Sequence, residues 1–212
     1  MGGKAAMLVH ADDAVVPVLA RTTSTDAGAA AALVRRLWPG HDVEPDGEEP
    51  WELADAIYPP PGTTCALAVP GLAVVCDRRV AVDRPSTLPA HLLAGAGARV
   101  LHLAMHSVVD GLAFAVWESG RLVRSLSLAP GFGIIEDVGE RLPFEAGYWD
   151  GAYPAGDEGY PLPFHPLRLG ERAMGEFFGF YAEGAMAGDD APDERVDPFA
   201  VELHGFRLRE RR

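Results

Sequence analysis

The stretch RVLHLAMHSVVDGLAFAVWESGRLVRSLSL, from Arg99 to Leu128, decides the fold. Apolar and small residues alternate in three runs, and the breaks between runs carry Asp110-Gly111 and Ser119-Gly120. Alternation with a period of two belongs to a strand, and Asp-Gly or Ser-Gly between two such runs marks a hairpin. The segment reads as an antiparallel β-meander. Taking both pairs as two-residue turns fixes a register. His106 then faces Ala115 and His102 faces Ser119 across the first turn, while Trp117 faces Leu122 and Ala115 faces Arg124 across the second.

Alternation separates two faces. One carries Leu101, Leu103, Met105, Phe114, Val116 and Val123 and is a core face. The other carries His102, Ala104, His106, Ala113, Ala115, Trp117, Leu122, Arg124 and Leu126. In the expected register His106, Ala115 and Arg124 form one row across three strands, with the outer two backbones roughly 10 Å apart. Alanines make a floor, and His102, His106, Trp117 and Arg124 stand around it. Such a shelf suits a small anion: an arginine clamps a carboxylate with two parallel hydrogen bonds. A histidine there supplies or accepts a proton. The competing expectation is a helix packed on the same alanines, with the histidines satisfied inside the packing and Arg124 paired to a carboxylate.

His102 and His106 also have a metal-ligand spacing, and His10, Asp110 or His165 would have to complete a zinc set. Lacking a His-Glu-x-x-His pattern, no metal or other cofactor is assigned. His165, between Pro163 and Pro166 in a long loop, is a further ligand-binding candidate. Ser107 adjoins His106, but neighbouring strand residues point to opposite faces.

The rest of the chain supplies the flanking parts. Met7–Ala11 reads as a buried strand. Helices are expected from about Ala30 to Trp38, from Pro50 to Tyr58, and around Leu88–Leu93. Thr63–Val69 and Leu72–Asp77 form a hairpin through Pro70-Gly71, which sets Cys65 opposite Cys76. That pair is either two reduced thiols packed as small hydrophobes or a redox switch. Ile134 and Ile135 add a strand, and Leu167–Gly184 is an amphipathic helix with Met174, Phe177, Phe178 and Tyr181 on one stripe. A last strand runs through Phe199, Val201 and Leu203, with a bulge at Gly205 before Phe206. These elements make residues 1–212 a single α+β domain, an antiparallel meander sheet with several flanking helices. An acidic loop near 187–198 is expected to be mobile, and the basic end (Arg207, Arg209, Arg211, Arg212) a frayed tail.

Composition limits the partners. Asp and Glu number 31 against 18 Lys and Arg, a net charge of −13. Nucleic-acid binding needs cations to displace condensed counterions, and anionic membranes need them equally, so neither is expected. No apolar run is long enough to span a bilayer, Ala5–Val9 is too short for a signal-peptide core, and two cysteines do not make a secreted scaffold. These features lead to a cytoplasmic expectation.

Three phrases go further: residues 105–110 (MHSVVD), 114–128 (FAVWESGRLVRSLSL) and 161–167 (PLPFHPL). With the opening MGGKAAMLV they resemble a family of uncharacterised proteins from high-GC Gram-positive bacteria, known only as a domain of unknown function. The resemblance implies one domain along the chain and names no activity. The leading expectation is a non-catalytic binding protein, regulatory or immunity-like, that recognises a protein partner or a small molecule. The alternative is a small-molecule enzyme with His106 as acid/base and Arg124 as anion clamp.

Overall fold

The computed structural model describes residues 3–23, 25–94, 97–156, 159–183 and 195–211. Their strands join in one antiparallel sheet. The first half of the chain contributes β1 (Lys4–Ala11), α1 (Val15–Leu19), α2 (Ala27–Leu37), β2 (His41–Pro45), β3 (Trp51–Glu52) and α3 (Leu53–Ala56). The hairpin β4 (Thr63–Val69) and β5 (Leu72–Cys76) follows, then two 3-10 turns and α4 (Ala90–Leu93). The meander is β6 (Arg99–His106), β7 (Gly111–Glu118), β8 (Arg121–Ala129) and β9 (Gly133–Gly139). It leads into α5 (Ala146–Trp149), α6 (Pro166–Phe178) and β10 (Glu202–Glu210). Side by side the strands run β2-β10-β4-β5-β1-β6-β7-β8-β9, with β3 paired to β10 off this path. None of the described helices is long and apolar enough to cross a membrane.

Local chemistry accounts for the helix ends. Asp26 accepts the Ala29 N–H at 2.6 Å, so α2 is capped by a carboxylate as helix starts prefer. Gly179, at φ 79°, ends α6 in the left-handed conformation that glycine adopts without penalty. Phe180 and Tyr181, expected within this helix or near its end, lie beyond it and still reach the core or its edge.

Two apolar layers sandwich the sheet. The first joins Leu101, Leu103, Met105, Phe114 and Leu126 to α1, α3 and α6. The second joins Ala6, Leu8, Ala115 and Trp117 to α2 and to the segment 78–93, through Val80, Leu88 and Leu92. Cys65 and Cys76 are direct cross-strand partners, as the hairpin predicts, and both are free and buried. Burial pushes the Cys65 thiol up to about 12 and Cys76 well above its usual range, so both stay protonated and pack as small hydrophobes.

Two expectations at the C-terminus need correction. The basic end is a strand, not a frayed tail. β10 lies between β2 and β4, and Arg207, Arg209 and Arg211 pair with Asp46, Glu44 and Asp42 of the β2 segment. The pairing of β10 with β4 also runs without interruption through Gly205. The apparent phase jump arises because Leu203 faces the first layer and Phe206 the second. Glycine is required at 205 for another reason: a Cβ there would meet the Trp51 indole at 2.7 Å. Most of the expected mobile acidic loop lies outside the described residues. Its end does not: Val196 is buried and donates its N–H to Gly179 O at 3.0 Å.

Candidate small-molecule pocket

Both meander turns form, in different ways. Ser119 and Gly120 take φ 49° and 76°, the left-handed pair that a two-residue hairpin requires. At the first turn the connection is longer, because His106 pairs with Gly111 and four residues, Ser107–Asp110, make the loop. The Val109 N–H donates to His106 O at 3.2 Å, closing a turn inside the loop, and Asp110 takes φ 47° before the chain re-enters the sheet. The whole of β7 is thereby displaced by four residues from the expected register. An even displacement keeps every side chain on its face.

A second departure changes a face. Val116 pairs with Arg124 and Trp117 with Leu122, so Val123 has no partner and β8 carries a bulge. Gly139 on the adjacent strand makes room for it. Its φ is 84°, and a Cβ there would come within 1.9 Å of Val123 O. Beyond the bulge Arg124, Leu126 and Leu128 turn to the first layer, while Ser125 and Ser127 turn to the second.

The predicted row His106–Ala115–Arg124 therefore does not form. Arg124 is fully buried on the α5 side, where its guanidinium donates to both Glu145 oxygens at 2.9 and 2.7 Å and also to Asp137. Burial works to lower its pKa, but these carboxylates outweigh burial and raise it. Every direction of the fork is occupied, so Arg124 is a structural ion-pair centre rather than a clamp for a bound anion. Leu126 shares that face.

Ala115 instead lies between His102 and Ser125. His102 is fully buried beneath the segment 78–93 and donates from Nε2 to Val80 O at 2.7 Å. Burial pushes it down to about 4, although the Val80 hydrogen bond and Glu136 pull the other way. It is neutral and structural. Ser125 donates to Glu136, which also accepts the Ser86 N–H at 3.1 Å, so this row is sealed. Trp117 lies farther along the same face, buried in the cluster that contains Leu88 and Leu92. His165 is on the α6 side: it caps α6 by accepting the Leu167 N–H at 3.3 Å and stacks on Tyr160 with ring centroids 5.7 Å apart.

One row of the face stays open. Ala104, Ala113 and Ser127 are direct cross-strand partners, and these three small side chains floor a pocket of about 310 Å³. Ala81 and Val82 overhang it on one side, and Val109, Phe132 and Ile135 form the far wall. Phe132 is 78% exposed. Ser127 is only 2% exposed and has no side-chain hydrogen bond among the described residues. His106, half-buried at the rim, packs edge-on to Tyr58 with centroids 5.9 Å apart.

Of the five residues expected to form a site, only His106 reaches this pocket. Ser127 and the wall residues went unrecognised. Ser127 would have alternated onto the correct face had the bulge been known. Phe132 lies between two glycines, a context that signals a loop and nothing more.

The fold and the pocket define an α+β protein built on one continuous antiparallel sheet, with a small alanine-floored cavity on one face. Residues 5–206 match the model of DUF6928, a family of unknown function, and the chain belongs to that family. No curated protein and no solved structure matches it.

Proposed function

We propose that the protein is a non-catalytic binding module whose pocket over Ala104, Ala113 and Ser127 receives a small, mainly apolar molecule. One observation carries this reading. The segment 78–93 closes over the His102–Ala115–Ser125 row, but over the next row it leaves a cavity edged by Ala81, Val82 and Asp83. Three small side chains on the strands next to β9 floor that cavity, with the nearly buried Ser127 hydroxyl among them. On the same face Ala6, Ala66 and Ala115 are fully buried in the layer formed with α2 and the segment 78–93, while Ala68 and Ala73 are half-buried. Methyl floors and alkyl walls with a few convergent polar groups are the ordinary chemistry of ligand sites. The acid/base reading depended on an arginine beside His106, and Arg124 belongs to the opposite layer.

A fragment titration followed by two-dimensional NMR tests this. Small acids, alcohols and amines with an apolar body should shift the backbone amides of Ala104, Ala113 and Ser127. Ala113→Leu, which fills the floor without adding polarity, should abolish those shifts while the rest of the spectrum is retained. If no fragment moves these amides, or if Ala113→Leu binds as well as the native chain, the pocket is not the binding site.

A further inference from the structure

The cavity over Ala104, Ala113 and Ser127 has one formal charge in its lining, and that charge is negative. Asp83 is its acid, and no lysine or arginine lines it. Cations close by in sequence or in the sheet are committed elsewhere. Lys4, the cross-strand partner of His106, opens with Tyr58 onto a separate depression, and Arg78 donates to Pro59 O at 2.6 Å. Arg84 lines only a shallower depression beside the cavity. There it serves Glu136: burial works against ionisation of that carboxyl, and Ser125, Ser86 and Arg84 outweigh it. Asp83 itself is exposed, and its carboxylate has no ion pair or hydrogen bond among the described residues.

Asp83 and Phe132 occur together twice. Both line the cavity, and both line the shallower depression next to it, so they flank the mouth that joins the two. A carboxylate and an aromatic ring at one opening suit an ammonium group, which the first attracts by charge and the second by its ring quadrupole. Deeper in, Ala104, Ala113, Leu112 and Val109 offer alkyl surface, and the polar group on the floor is the nearly buried Ser127 hydroxyl. Methyl groups cannot replace the hydration of a charge, so a charged head stays at the mouth while an apolar body enters. At the rim, His106 has its Nδ1 occupied by the Val108 N–H at 3.3 Å. The net charge of −13 acts in the same sense at longer range, drawing cations toward the protein.

We propose that the ligand of this cavity is an amphipathic cation, a primary ammonium on a short alkyl or aryl body. The body rests on Ala104 and Ala113, and the ammonium stays at the mouth between Asp83 and Phe132. A carboxylate in the same place would meet Asp83 and find no lining cation to offset it. This inference rests on the pocket reading above and assigns its ligand class.

Octylamine, octan-1-ol and octanoate, matched in length and different in head group, form the test, titrated against the full chain by two-dimensional NMR at low salt and pH 7.5. Octylamine should bind tighter than octanol by about five-fold, the upper range for a solvent-accessible ion pair, and octanoate should be weakest. Asp83→Asn should bring octylamine down to the affinity of octanol and leave octanol unchanged. Glu48→Gln, which removes an exposed carboxylate from a different depression, should keep the whole preference. Phe132→Leu retains an apolar wall without an aromatic face and should reduce the preference. If octanol equals octylamine, or octanoate exceeds it, the cation assignment is overturned while the pocket reading stands. If Asp83→Asn keeps the full preference, or Glu48→Gln lowers it as far, the placement of the head group at Asp83 is overturned. A full preference in Phe132→Leu overturns the part given to the ring. If none of the three ligands shifts Ala104, Ala113 or Ser127, both readings are overturned together.

Discussion

Arg124 and Glu145 form a two-pronged ion pair inside the protein, Nε to Oε1 at 2.9 Å and Nη2 to Oε2 at 2.7 Å, with neither side chain exposed. The same carboxylate accepts the Leu142 N–H at 2.8 Å and the Trp149 indole N–H at 3.2 Å. The bulge in β8 is what delivers the guanidinium to it. The pair ties the sheet to the turn that begins α5.

Removing one partner of a buried pair leaves the other charge unpaired and typically costs about 3–5 kcal/mol. Arg124→Met should therefore lower the unfolding free energy by about that amount in urea denaturation. Arg124→Met with Glu145→Gln should recover part of the loss, since the stranded charge is gone. A double variant less stable than Arg124→Met would show that the pair does not act as a unit.

His102 makes folding pH-dependent on the acid side. Burial holds its folded pKa at about 4, below the ordinary 6.5. Between these values the unfolded chain binds a proton that the folded ring refuses, so stability is lost as pH falls through this window. The expected loss is about 2 kcal/mol between pH 7.5 and 5. His102→Gln should lack this component, and the difference between the two urea profiles at the two pH values measures it.

Glu171 acts in the opposite sense. Buried in α6, it is pushed up to about 7 by burial, with Glu183 adding to the effect, while the Ala182 N–H it accepts at 2.9 Å works against it. The folded state keeps a proton that the unfolded chain has released above its ordinary 4.5, so stability falls as pH rises from 4.5 to 7 and then levels. Glu171→Gln keeps an acceptor for Ala182 and has nothing to ionise. It should be more stable than the native chain at pH 8, by about 3 kcal/mol, and nearly equal at pH 4.5. Because the windows of His102 and Glu171 overlap with opposite signs, the native profile should be flatter than that of either variant.

The meander shows how far local patterning reaches. Three strands in antiparallel order, the Ser119-Gly120 turn and the apolar face of Leu101, Leu103 and Phe114 were all legible, because each depends on residues adjacent in sequence. The Cys65–Cys76 pairing was legible for the same reason, set by one short turn. The first meander turn was not. Asp110-Gly111 satisfies a two-residue hairpin locally, yet Gly111 is the first residue of β7 and the loop begins at Ser107. The bulge at Val123 was out of reach as well, because its enabling glycine, Gly139, lies on the neighbouring strand.

Of the candidate site, His106 and the alanine floor were visible as a face. Which alanines remained open was not. Alternation assigns Ala104, Ala113 and Ala115 to one surface, and all three permit close packing or a ligand equally. Only the path of the segment 78–93 separates them: Val80 and Leu88 close over the Ala115 end, whereas Ala81 and Val82 leave a cavity over Ala104 and Ala113.

By itself, then, the sequence determined the antiparallel sheet, its apolar face, the tight second turn and the cysteine partners, all set by period-two alternation and turn chemistry over a few residues. The tertiary structure decided the register of β7 and the face of Arg124. It also decided which row of small residues floors the cavity beside His106. Those outcomes depend on contacts between segments far apart in the chain, where a single inserted residue turns every later side chain to the other face.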